Sequence, residues 1–108
     1  LLYQVWLNLM DNAIKYSNPK ETVTVTLCDT DEALVIRFTD RGTAIPETEL
    51  KRIFDKFYQG DTSRKTAGNG LGLALVREIL QLHDGRVQAE LLPEHKTCFT
   101  VFLPQPQE

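Results

Sequence analysis

Residues Thr22-Val23-Thr24-Val25-Thr26-Leu27-Cys28 place Thr and apolar side chains in strict alternation, and only a strand puts every second residue on one face. Four polar residues, Asp29-Thr30-Asp31-Glu32, separate this run from a second one, Ala33-Leu34-Val35-Ile36-Arg37-Phe38-Thr39. So short a link cannot carry a parallel crossover, so the two runs are predicted to form an antiparallel hairpin with one buried face. A second such pair, Arg86–Leu91 and Thr97–Leu103, closes the chain.

Helical spacing fills the intervals. Leu1, Leu2, Val5, Leu9 and Ala13 recur on one helical face, predicting a helix over residues 1 to about 17 that stops at Ser17-Asn18-Pro19-Lys20. Pro46 opens a second predicted helix, with Glu47 and Glu49 in its first turn and Leu50, Ile53, Phe54 and Phe57 as its buried stripe. A third is predicted from near Leu71 to about His83, with Leu75, Ile79 and Leu82 on one face. Residues 59–70 are polar, contain glycine and lack periodicity, and a loop of that length is expected to be a mobile lid. The order predicts an α+β domain, a two-layer sandwich of a mixed, mostly antiparallel sheet with three helices on one face.

Composition narrows the function. The chain has 108 residues, which fits one domain. Twelve Lys+Arg against 15 Asp+Glu leave a net charge of −3, without the positive field that nonspecific nucleic-acid or membrane-surface binding requires. No apolar run reaches the ~20 residues of a membrane span, and the opening Leu1-Leu2-Tyr3-Gln4 is not a signal peptide. An uncapped helix at the first residue is read as a truncation at the amino end. Cys28 and Cys98 fall in strand runs with no CxxC pair, and are expected to be reduced core thiols of a cytoplasmic protein.

Three constellations carry chemistry. Asn8, Asn12 and Lys15 share one face of the first helix. Asn is a mediocre helix former, an amide oxygen suits Mg²⁺, and Lys supplies a point charge for phosphate. The alternative is a solvated polar face. Gly68-Asn69-Gly70-Leu71-Gly72-Leu73 stands at the mouth of the third helix, where glycines and free N–H groups favour an anion. It matches neither the Walker spacing nor the dinucleotide fingerprint, and plain turns also use glycine. Gly72 costs ~1 kcal/mol relative to Ala inside a helix, which suggests that a side chain there would be in the way. Asp40-Arg41-Gly42 follows a strand, where Asp can accept from a flat donor such as an adenine amino group or close an ordinary Asx turn. Arg64 and Lys65 in the long loop either reach phosphates when it closes or only solubilise it.

Taken together, these motifs resemble those of sensor histidine kinases. Asn8-Leu-Met-Asp-Asn12-Ala-Ile-Lys15-Tyr16-Ser17 is similar to the N box, Asp40-Arg-Gly42-Thr-Ala-Ile45-Pro to the G1 box, Ile53-Phe54-Asp-Lys-Phe57-Tyr58 to the F box, and Gly68-Asn-Gly70-Leu71-Gly72-Leu-Ala to the G2 box. Thr97-Cys-Phe99-Thr-Val-Phe-Leu103-Pro104 resembles the family's last core strand. The resemblance implies a catalytic and ATP-binding domain with the fold shared by gyrase, the heat-shock ninety chaperone and mismatch-repair ATPases, using ATP and Mg²⁺. It implies Asn12 as the Mg²⁺ ligand with Asn8 assisting, Lys15 on phosphate and Tyr16 near adenine. Asp40 would accept from the adenine amino group, and Gly42 would leave room for the ring. Gly68, Gly70 and Gly72 would line the phosphates, and Ile45, Arg64, Lys65, Leu71 and Thr97 complete the nucleotide-contacting set.

The hydrolysing relatives carry a Glu where Asn8 stands, and an amide cannot act as a general base. That favours transfer to a His on a separate dimerisation and phosphoacceptor domain, with a response regulator downstream. His83 and His95 lack the context of that acceptor, and the first strand of the sandwich is expected to be missing. The second glycine of the G1 box is Ala44 here, which is expected to weaken nucleotide binding. The parent is expected in the cytoplasm or at the inner membrane with this domain on the cytoplasmic side. The rival readings are a degenerate regulatory module and a serine kinase of the anti-sigma type.

Overall fold

The computed structural model describes residues 2–42, 46–50, 52–55 and 72–105. Its elements are α1 (Leu2–Tyr16), β1 (Thr24–Asp29), β2 (Ala33–Arg41), a 3₁₀ turn (Glu47–Glu49), α2 (Gly72–Leu82), β3 (Arg86–Leu92) and β4 (Lys96–Pro104). The strands form one sheet in the order β1-β2-β4-β3, and all three pairings are antiparallel. Both predicted hairpins form, β1 with β2 and β3 with β4, and β2 joins β4 to unite them.

The register decides which residues share a face. Ile36 pairs Val101, Phe38 pairs Phe99 and Asp40 pairs Thr97, while Val87 pairs Val101 and Ala89 pairs Phe99. Directly paired residues point to the same side of a sheet, so these rows form one face. Val5 and Leu9 of α1, and Val76, Ile79 and Leu80 of α2, bury against Ile36, Phe38, Phe99 and Val101 in a single cluster. Trp6 stacks on Phe38 with ring centroids 6.4 Å apart, and Phe54 meets Phe99 edge-on at 6.1 Å. The helices therefore lie on one face of the sheet, as predicted.

Four expectations need correction. Among the described residues there are two α-helices rather than three, because the segment after Pro46 turns too tightly. Its backbone N–H groups at Glu49, Leu50, Arg52 and Asp55 all donate to the carbonyl three residues earlier. Ile53 and Phe54 are still buried, so the apolar stripe anchors this segment without a regular α-helix. In α2 the buried residues are Ala74, Val76, Ile79 and Leu80, while Leu75 and Leu82 face outward. This helix carries more apolar residues than one face holds, and packing against α1 and β3 selected a different stripe. On β1, Val25 and Leu27 lie on the helix-bearing face by register but stay 44% and 66% exposed. The described helices do not reach over the edge strand, and an open apolar groove of about 470 Å³ runs between it and Tyr3, Trp6, Leu7 and Met10 of α1. Cys28 on the same strand is exposed, whereas Cys98 is buried as expected, and both are free thiols.

Candidate functional site

The core face of the sheet ends in a polar row. Beyond the apolar pairs Ile36–Val101 and Phe38–Phe99 comes Asp40 opposite Thr97, each 3% exposed. Asp40 lies at this end because the period of two that buries Ile36 and Phe38 also turns position 40 inward. Among the described residues its carboxylate has no hydrogen-bond partner, and burial pushes its pKa from 3.8 up to about 6. A buried carboxylate without a donor is costly, and the arrangement is suited to a donor that arrives with a ligand.

Helix α1 brings the other motifs to this end of the sheet. Its apolar stripe Val5–Leu9–Ala13 is buried, which sets Asn8 and Asn12 half-buried beside the stripe and leaves Lys15 exposed. The Asn8 side-chain amide donates to the Gly72 carbonyl at 3.5 Å, which ties the middle of α1 to the first residue of α2. At its other end α1 runs into Ser17, which bridges Gly42, and the Asn18 N–H donates to the Arg41 carbonyl at 2.9 Å. One helix thus touches both the start of α2, at Gly72, and the end of the strand that carries Asp40. Asn12 makes no hydrogen bond among the described residues, so its amide oxygen is available to a hard cation. A half-buried, unengaged amide suits Mg²⁺, which keeps water and phosphate oxygens as its remaining ligands. Among the described residues no three His, Cys, Asp or Glu side chains gather into a metal cluster of their own.

Asn8, Asn12, Asp40, Gly42, Gly72 and Thr97 are therefore placed around α1 and the adjoining end of the sheet, with Lys15 at the exit of the helix. Tyr16 ends the helix, but its side chain lies outside the described residues, as do Ile45, Arg64, Lys65, Gly68, Gly70 and Leu71, the predicted lid 59–70 and Ala44. The suggestion that Gly72 must lack a Cβ does not hold among the described residues. A Cβ built there meets only the Asn8 Cγ, at 4.0 Å, an ordinary contact. Gly85 is the position that tolerates no side chain, since a Cβ would lie 2.6 Å from the Phe102 carbonyl. Sequence reading passed over Arg41 and Glu94, whose side chains meet at 2.8 Å across 53 positions. No local signal announces a contact of that range.

Comparison with known proteins agrees with this architecture. The model of the histidine kinase-, DNA gyrase B-, and HSP90-like ATPases matches residues 1–107. The chain is 38% identical over 106 residues to the circadian input-output histidine kinase CikA of Synechococcus elongatus, covering 96% of this chain and 14% of that protein. It is 43% identical over 105 residues to the sensor protein VanSC of Enterococcus gallinarum, covering 95% of this chain and 28% of that protein. The chain thus spans only a minor part of these curated relatives. Among solved structures, the mycobacterial sensor histidine kinase MprB superposes with a TM-score of 0.85 at 30% identity, over 96% of this chain and 72% of that one. The nucleotide-free catalytic domain of the histidine kinase ThkA superposes at 0.82 with 28% identity, over 95% and 66%.

The class is therefore a two-layer α/β sandwich of the ATPase type. The chain belongs to the family of histidine kinase-, DNA gyrase B- and HSP90-like ATPases, and within it to the catalytic, ATP-binding domains of sensor histidine kinases.

Proposed function

We propose that this domain binds ATP with Mg²⁺ and passes the γ-phosphate to a histidine on a separate dimerising phosphoacceptor domain, from which a response regulator receives it. The observation that carries the reading is the buried carboxylate of Asp40, beside the exit of α1 and without a hydrogen-bond partner among the described residues. An adenine amino group would supply a donor to this carboxylate, which receives none among the described residues, and Gly42 would leave space for the ring. Thr97, paired with Asp40, offers a hydroxyl on the same wall. By the resemblance of the motifs, Lys15 with Arg64 and Lys65 would counter phosphate charge, Tyr16 and Ile45 would flank the base, and Gly68, Gly70, Leu71 and Gly72 would line the phosphates. Asn12 is the residue that would hold Mg²⁺, which supplies charge neutralisation on the phosphate oxygens when bound.

The transfer itself depends on positioning and charge rather than on a protein nucleophile. The neutral imidazole nitrogen of the acceptor attacks the γ-phosphorus in line, an N–P bond forms, the bond to the β-γ bridging oxygen breaks and ADP leaves. Asn8 occupies the place from which a carboxylate would activate water, and an amide cannot take that proton. The domain is accordingly suited to a protein acceptor rather than to rapid hydrolysis. Among the described residues no helix is long and apolar enough to cross a membrane. We place the domain in the cytoplasm, where ATP is available and the free thiols of Cys28 and Cys98 stay reduced. Calorimetric titration with Mg²⁺ and a non-hydrolysable ATP analogue tests the reading. Binding at millimolar or tighter affinity, lost in Asp40→Asn, is the expected result. No binding by the unaltered chain overturns it in favour of a degenerate regulatory module.

A further inference from the structure

Asp40 receives no side-chain hydrogen bond among the described residues, so its orientation depends on how firmly the end of β2 is held. Two elements hold it. On one side the exit of α1 grips the backbone, through the Asn18 N–H on the Arg41 carbonyl at 2.9 Å and the Ser17–Gly42 bridge. On the other side stands the turn between β3 and β4. The Gly42 N–H donates to the His95 carbonyl at 3.2 Å, which extends the β2–β4 ladder one step past the last strand pair, Arg41 with Lys96. The Arg41 guanidinium donates to the Glu94 carboxylate at 2.8 Å. Glu94 and His95 are consecutive non-glycine residues in the left-handed region, with φ of 69° and 62°. That conformation is unfavourable for residues with a Cβ. In this turn it accompanies an arrangement that sets both the His95 carbonyl and the Glu94 carboxylate against residues 41 and 42.

We propose that the Glu94-His95 turn is a positioning element for base recognition, with Glu94 acting through Arg41 to keep Asp40 and Gly42 in register with the nucleotide base. Glu94 acts through the Arg41 guanidinium, its 2.8 Å partner. Its effect is confined to the base end of the ligand. The proposal rests on the reading of Asp40 as the acceptor of the adenine amino group.

The test compares ATP with ITP, which carries a carbonyl oxygen where ATP has that amino group. Both are titrated with Mg²⁺ into the ¹⁵N-labelled chain by NMR, a method that reads millimolar constants and shows at once whether a variant is folded. Glu94→Lys sets a like charge against Arg41. Exposed ion pairs couple weakly, so ATP affinity is expected to fall about two- to five-fold. ITP affinity is expected to fall clearly less, because its base lacks the exocyclic amino group that donates to Asp40. The swapped pair, Arg41→Glu with Glu94→Lys, restores the attraction and is expected to return ATP affinity to that of the unaltered chain. Equal weakening of ATP and ITP, unchanged ATP affinity in Glu94→Lys, or no recovery in the swapped pair overturns the positioning role. If the unaltered chain itself does not prefer ATP to ITP, the assignment of Asp40 falls first, and that outcome is separate from the other three.

Discussion

Replacing Asp40 with Asn is predicted to stabilise the ligand-free chain while removing its affinity for ATP. Asp40 is 3% exposed, and burial pushes its carboxyl pKa from 3.8 up to about 6. The folded chain therefore holds this proton to a higher pH than the unfolded chain does. Stability falls as pH rises between about 4 and 6, and the full penalty stands above that window. At ~1.4 kcal/mol per pKa unit the penalty approaches about 3 kcal/mol. An amide of the same shape carries no charge and escapes it, although a buried amide without partners still costs about 1–3 kcal/mol, much as a protonated carboxyl does. The net gain expected for Asp40→Asn at pH 8 is about 1–3 kcal/mol, shrinking to about half a kcal/mol at pH 4, where the wild-type carboxyl is protonated in the folded chain. Urea titrations of both chains at the two pH values, alongside calorimetric ATP titrations, provide the measurement. A variant less stable than wild type at pH 8, or a difference equal at both pH values, would refute the burial argument.

Two further predictions concern packing. Phe99→Ala removes a 2%-exposed ring that meets Phe54 edge-on, and is expected to cost about 3–5 kcal/mol in a thermal or urea melt, enough to leave a domain of this size marginal. Gly85→Ala forces a Cβ to 2.6 Å from the Phe102 carbonyl and is expected to cost about 1–3 kcal/mol, whereas among the described residues Gly72→Ala meets only the Asn8 side chain and is expected to gain up to ~1 kcal/mol of helix propensity. Parallel melts of the two glycine variants decide whether the steric demand sits at position 85 rather than 72.

Strand pairing was legible because alternation and short links leave few topologies. Thr-Val-Thr-Val-Thr-Leu and Leu-Val-Ile-Arg-Phe read as strands without any tertiary information, and both hairpins form at the expected positions. The second predicted helix was misread because Leu50, Ile53 and Phe54 satisfy helical spacing equally well in a run of three-residue turns. The stripe of α2 was misread because a helix rich in leucine offers two faces, and only the neighbours α1 and β3 choose between them.

The candidate site divides in the same way. Asn8, Asn12, Lys15, Asp40 and the glycines stood out in the chain because each is chemically odd for its local structure. An amide sits in mid-helix, an acid on the inward side of a strand, a glycine where a helix begins. Local geometry determines such oddities, so the sequence determined them alone. That Asp40 is buried with no hydrogen-bond partner among the described residues, and that the Glu94-His95 turn grips Arg41 and Gly42, was decided only by the fold. Burial and register depend on residues more than fifty positions apart, and no pattern within one segment encodes them.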